Sequence, residues 1–209
     1  MLRVGRYGWK AEKVSVEHQV ADALEADLGV HSRVIQDAGG QAELDDQDLL
    51  RLTTYMRLVG VPPQRDRDDP VVQRGELLFR ATGCASCHAP EVVTGDSHAF
   101  VELRKQDIRP FTDLLLHDLG EDLADQSGAS GDRTGEDRPS ASEWRTPPLW
   151  GVGLVRDVSG QVNLLHDGRA HSVLEAVLWH GGEASAVKER FSQLSNEDRE
   201  ALLRFVESL

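Results

Sequence analysis

Residues 83–90 read GCASCHAP, and the Cys84 and Cys87 within them are the only cysteines in 209 residues. Three chemistries use a Cys-x-x-Cys pair: covalent haem attachment, a redox dithiol and half of a zinc site. The adjacent histidine separates them. In a haem c site the three-residue step puts both sulfurs on one side of a helical turn, where they form thioethers with the two vinyl groups, and the next residue carries its imidazole to the iron. A redox dithiol has no use for His88 and is expected beside a strand-helix-strand pattern, whereas the residues before Cys84 read as helix. Zinc needs four ligands, the neighbours Cys87 and His88 point in different directions, and no second ligand pair is visible. The motif reads first as one covalent haem c on Cys84 and Cys87 with His88 as proximal ligand; zinc and dithiol stay open behind it.

At 39 % hydrophobic residues the chain can bury the core of about one domain. Its net charge of −13 argues against nucleic acid and anionic membrane surfaces. That charge favours a basic partner arriving under electrostatic steering; solubility is the plainer reading of it. No apolar run approaches the roughly 20 residues that span a bilayer, and the opening MLRVGRYGWKAEK has no signal-peptide apolar segment. Bacterial haem c is attached outside the cytoplasm, so the haem reading implies a periplasmic protein and an upstream part before Met1.

Working outward from the motif, Val71 to Ala81 reads as a helix bringing Leu77, Leu78 and Phe79 to a core just ahead of the cysteines. Upstream, Ser15 can cap a helix whose Val16, Val20, Leu24 and Leu28 share a face, ending near Gly29. Asp45 or Asp46 can cap a second, with Leu49, Leu52, Met56 and Val59 at helical spacing before GVPP stops it. PQRDRDDP reads as a solvated connector. Residues 120–143 are rich in Asp, Gly and Ser without periodicity, which predicts a long mobile loop. Prolines forbid helix in EWRTPPLWGVG, helix resumes over about His171 to His180, and Ser195 with Asp198 opens a terminal helix bearing Leu202, Phe205, Val206 and Leu209.

The order of GRYGWKAE, GCASCHAP, FTDLLLHDLGEDLAD, EWRTPPLWGVG and LLHDGRAHSVLEAVLWHGGEA resembles the C-terminal part of the bacterial di-haem oxidoreductases, a group similar to di-haem cytochrome c peroxidases and to the di-haem enzyme that matures methylamine dehydrogenase. The likeness covers nearly the whole chain. It implies a mainly α, cytochrome c-like haem domain over 66–209 with long irregular loops. Residues 1–65 would then be an N-terminal helical segment left from the inter-domain region. The resembling proteins carry a further Cys-x-x-Cys-His domain upstream, whose haem meets peroxide, so that N-terminal haem domain is expected to be missing here.

The same resemblance places Arg145 near a haem propionate, where an ordinary surface salt bridge is the other reading; Trp144 and Trp150 read as walls of the haem pocket, with simple core filling as the other reading. Trp9 is the nearest counterpart of a tryptophan between the two haems, or else packs in the core. His166 matches a turn histidine near the domain interface, and no calcium is expected where the chain reads GQVNLL. His117 reads as a satisfied, partly buried histidine, and His18, His31 and His98 as solvated side chains. Methionine often binds the sixth position of such a haem, but neither Met1 nor Met56 follows the attachment site. In the resembling peroxidases the distal ligand lies fourteen residues beyond the His-Asp-Gly histidine, which here is His180. Val173, Leu174, Val177 and Leu178 supply that helix with an apolar face, and a histidine favourably placed at a helix end is the other reading of His180.

The leading expectation is an electron-transfer domain with a bis-His, six-coordinate haem on His88 and His180, exchanging electrons with a basic donor or acceptor such as a small cytochrome. The alternative is a peroxidase-type oxidoreductase, active at its single haem or with a separate haem-bearing partner. A third is a haem-free or zinc-binding remnant.

Overall fold

Most α-helices among the described residues start where a side-chain oxygen accepts from an N–H of the first turn, and three end on a left-handed glycine. In the computed structural model, which describes residues 4–35, 41–125 and 139–209, the chain is mainly helical and divides into two units, Met1–Gly60 and Val61–Leu209. In the first unit Ser15 Oγ accepts from His18 N to open α1 (Val16–Leu28), which Gly29 closes at φ 67°. Asp45 accepts from Asp48 N to open α2 (Asp46–Leu58). α1 buries Ala21, and α2 buries Leu49 and Thr53. The apolar rows read from sequence extend past this contact: Leu28, Leu52, Met56 and Val59 are exposed. His18, His31 and His98 are half-buried rather than solvated. His31 Nδ1 faces Glu25, and His98 Nδ1 accepts from Phe100 N.

The second unit holds α3 (Pro70–Thr82), α4 (Val155–Ser159), α5 (Val173–Trp179), α6 (Ser185–Ser192) and α7 (Asn196–Ser208). Two strand pairs lie in its loops: β1 (Val92–Val93) with β2 (Asp107–Ile108), and β3 (Leu116–Asp118) with β4 (Glu143–Arg145), both antiparallel. Its core is built where α3 crosses α7. A Cβ on Gly75 would lie 2.0 Å from the Ala201 carbonyl oxygen, so glycine at that point lets the two backbones meet. Burial along α3 falls on Val72, Gly75, Phe79 and Thr82, a step of three and four. Leu77 sits about 200° round the helix from that face and is 69 % exposed, against its expected place in the core.

Phe79, Phe111 and Phe205 pack edge to face, with ring centroids 5.4–6.0 Å apart, and Val72, Val173, Phe191, Leu202, Val206 and Leu209 complete the cluster. In α5 it is Val173 and Val177 that meet this core; Leu174 and Leu178, one position on, turn outward. The charged connector is solvated over Asp66, Arg67 and Asp68 and is also pinned: Arg65 N donates to Ser208 O, Gln64 Nε2 to Ser208 Oγ, and Asp66 pairs with Arg204. The aperiodic stretch 120–143 has ordered ends. Leu123 is buried, Asp125 N donates to Ala141 O, and Glu143 enters β4; residues 126–138 lie outside the described part.

Candidate haem centre

α3 delivers the Cys-x-x-Cys-His segment by ending abruptly. Asp69 caps its start, Pro70 occupies the first turn, and Gly83 stops it at φ 101°, a left-handed conformation that favours glycine. A Cβ there would also lie 2.7 Å from Arg190 Nη2. Cys84–Ser86 then form one tight 3-10 turn, and His88 N donates to Cys84 O at 3.0 Å. Both sulfurs are free thiols. Burial pushes the Cys84 thiol up to about 11 and raises Cys87 as well. A redox dithiol needs a reactive thiolate, which an electropositive setting favours, so these surroundings oppose that reading.

His88 is placed by the segment running beside it. Asp113 N donates to Cys87 O, Thr112 N to Ala89 O, and the Phe111 carbonyl accepts from His88 Nδ1 at 3.1 Å. Phe111 reaches that pose at φ 53°, which a bulky residue rarely adopts. With Nδ1 carrying the proton, Nε2 bears the lone pair a metal takes. Part of the ring stays accessible while the protein around it is dense enough to desolvate it. Burial first, and the nearby His180 second, push its pKa down to about 4, so at neutral pH it is an uncharged ligand.

His180 is arranged in the same way. It caps the end of α5, donates Nδ1–H to Ala176 O at 2.7 Å and is held neutral by burial. Gly181 and Gly182 follow and run against residues 118–120. A Cβ on Gly181 would lie 2.7 Å from Leu119 O, and one on Gly182, which has φ 51°, would lie 2.2 Å from Asp118 O. The structure thus brings Cys84, Cys87, His88 and His180 into one neighbourhood, as the effect of His180 on His88 records. Two neutral imidazoles with Nδ1 occupied, beside two unbridged thiols, are a donor set that fits haem c.

The remaining residues divide. Arg145, on β4, donates to Thr146 O; that oxygen also accepts from Thr112 Oγ1, next to the residue that holds His88. Trp150 is half-buried in the turn between Leu149, which packs on the core, and Gly151, whose N–H donates to Leu209 O. Trp144 is a buried pillar: its Nε1 donates to Leu123 O and one face carries the His166 ring, 3.5 Å away and nearly parallel. Trp9 belongs to the first unit and is about half exposed. Sequence reasoning overlooked Phe111, Asp113 and Glu183. The last two bracket His117, whose Nε2 lies 2.8 Å from Asp113 Oδ2 and whose Nδ1 lies 2.8 Å from Glu183 Oε2.

Both nitrogens of His117 therefore face carboxylates, an arrangement that favours the doubly protonated ring. Burial opposes that charge, but the hydrogen bonds to Glu183 and Asp113 outweigh it and raise the pKa above the usual 6.5. The Cys87, Asp113 and His117 ligand atoms lie within 4.8 Å of one another, and both His117 ring nitrogens are engaged by carboxylates. A folded pKa above the unfolded one means that the stabilisation is complete below pH 6.5 and is lost as pH rises through the raised value. Titration of the His117 ring by NMR in the diamagnetic reduced protein should give a midpoint above 6.5; a midpoint at or below it would contradict the double bond.

Residues 34–209 match the family described as "Di-haem oxidoreductase, putative peroxidase". The chain belongs to this di-haem oxidoreductase family. Membership implies a haem cofactor. Among solved structures this chain is similar to a MauG-like protein associated with microbial copper homeostasis (TM-score 0.53, 19 % identity, 99 % of this chain and 69 % of that one). It is also similar to hydrazine synthase of Kuenenia stuttgartiensis (TM-score 0.48, 18 % identity, 79 % of this chain) and spans 56 % of that chain's length. At these identities the likeness concerns the fold. No curated protein matches the chain. Among the described residues no helix is long and apolar enough to cross a membrane.

Proposed function

We propose that this chain is an electron-transfer haem c domain, with Cys84 and Cys87 as thioether anchors and His88 and His180 as axial ligands. The observation that carries the reading is the matched pair of half-buried histidines, each with Nδ1 fixed by a backbone carbonyl. Bound there, the haem would take up and release single electrons. The protein's part is to hold both imidazoles in the liganding tautomer and to keep the ring environment dry through Phe79, whose centroid is 6.2 Å from that of His88. Two histidine ligands leave no open position for peroxide and set a potential below that of a His/Met site. Electron transfer is thus favoured over peroxide reduction within these residues. Arg145 and Trp150 are proposed as propionate and ring contacts.

Residues 1–209 carry one Cys-x-x-Cys-His motif. We assign the family's other haem to a separate segment or partner, and the first unit to the region between the two. Haem c assembly supports a periplasmic location. The net charge of −13 supports a basic redox partner such as a small cytochrome. The test is maturation of the chain in a haem-attaching host followed by acid-acetone extraction. Colour should stay with the protein, at one haem per chain, and Cys84→Ala with Cys87→Ala should abolish retention. Colour leaving with the solvent from the parent chain would overturn the assignment.

A further inference from the structure

The loop that carries His180 has little of its own to hold it. His180 caps the end of a short helix, and Gly181 and Gly182 after it are the residue type with the greatest backbone freedom. Its position must come from contacts outside the loop. One set is the close approach of the two glycines to residues 118–120, a turn shaped by the Asp118 carboxylate accepting from Gly120 N. The other is Glu183. Its Oε1 accepts from Asp118 N at 3.2 Å, and its Oε2 accepts from His117 Nδ1. His117 continues the chain of contacts, donating Nε2–H to Asp113, whose backbone N–H in turn donates to Cys87 O at 2.9 Å.

We propose that His117 is a positioning residue: bridging Asp113 and Glu183, it clasps the His180 loop to the segment that fixes Cys87 and His88, and so holds the sixth ligand on the iron. The inference rests on the assignment of His180 as axial ligand. The clasp spans 66 residues between His117 and Glu183, so it joins two sides of the site that share no local structure. The bond between His117 and Asp113 is the sheltered half, since both side chains are under one-fifth exposed. Glu183 is 56 % exposed and forms the half able to open. Charge-assisted bonds of this kind contribute more than neutral ones, and the Glu183 bond holds a glycine loop that gains conformational freedom once released.

The haem-loaded full chain tests this through ligand binding to the iron. The parent should be low-spin and bind carbon monoxide or cyanide slowly, because His180 must first leave. His117→Ala and Glu183→Ala should each speed that binding by about tenfold or more, as expected for losing a bond to a charged group. The double variant should be no faster than the quicker single one, since both changes break one path. Glu183→Gln, which can still accept from Asp118 N and His117, should recover part of the parent's rate. Glu183 is surface-exposed, so its truncation leaves the core intact and decides the question even if His117→Ala fails to fold. If the parent is low-spin through His180 and neither variant changes the rate, the clasp is refuted while the ligand assignment stands. If His180→Ala itself leaves the spectrum unchanged, the ligand assignment fails and takes the clasp with it.

Discussion

His180→Ala should turn the oxidised protein from a low-spin, six-coordinate spectrum to a high-spin one, and carbon monoxide or cyanide should then bind at once instead of waiting for a protein ligand to leave. The expectation follows from what else could bind. Met1 and Met56 both precede the attachment motif, and Met56 lies on α2 in the first unit. His117 has both ring nitrogens committed to carboxylates, and His166 is stacked on Trp144. Removing the His180 imidazole thus leaves no neutral nitrogen ready to replace it among the residues described around the site. Added imidazole should restore the low-spin spectrum, which separates an opened coordination position from a damaged fold. An unchanged low-spin spectrum in His180→Ala would falsify the assignment. His88→Ala should act differently, lowering the yield of haem-loaded protein, because it removes the ligand adjacent to the attachment cysteines.

The attachment motif was legible because its chemistry is local: three side chains within five residues, set by one helical turn after a glycine. The helix starts were legible for the same reason, since Ser15, Asp45 and Ser195 each satisfy an N–H two or three residues on. Which apolar residues are buried was less so. Leu77, Leu174 and Leu178 have the composition of a core but the wrong phase, and phase is decided by the partner helix, here by Gly75 meeting the backbone of α7. The ends of the 120–143 stretch were hidden by their polar composition: their order comes from pairing between β3 and β4 and from the Trp144 bond to Leu123, contacts that leave no periodicity. Glu183 and Asp113 were missed because an exposed or half-buried carboxylate carries no signal until the fold sets it against a histidine distant in sequence. His180 was reached through resemblance; its own residues offer only a histidine at a helix end followed by two glycines.

Phe205→Ala should be the most destabilising core substitution in the second unit. The ring is fully buried in α7, packed against Phe79 at 5.4 Å and Phe111 at 5.7 Å between centroids. Truncating a buried phenylalanine typically costs about 3–5 kcal/mol, the sum of lost transfer energy and the cavity left behind. Collapse cannot readily fill the space, because the Cβ of Phe205 sits against Gly75, where the two helix backbones are already in contact. The loss should also reach the haem site. Phe79 is the ring beside His88, and Phe111 supplies the carbonyl that fixes its Nδ1 from a left-handed backbone held by packing. Urea unfolding of the haem-loaded protein should therefore show a lower midpoint with little change in slope. The low-spin band of the folded variant should give way at lower denaturant than in the parent. Phe205→Leu, which refills most of the volume, should recover much of the stability. A loss below about 1 kcal/mol for Phe205→Ala, well under the usual range for such a truncation, would mean that the aromatic trio does not carry the crossing of α3 and α7.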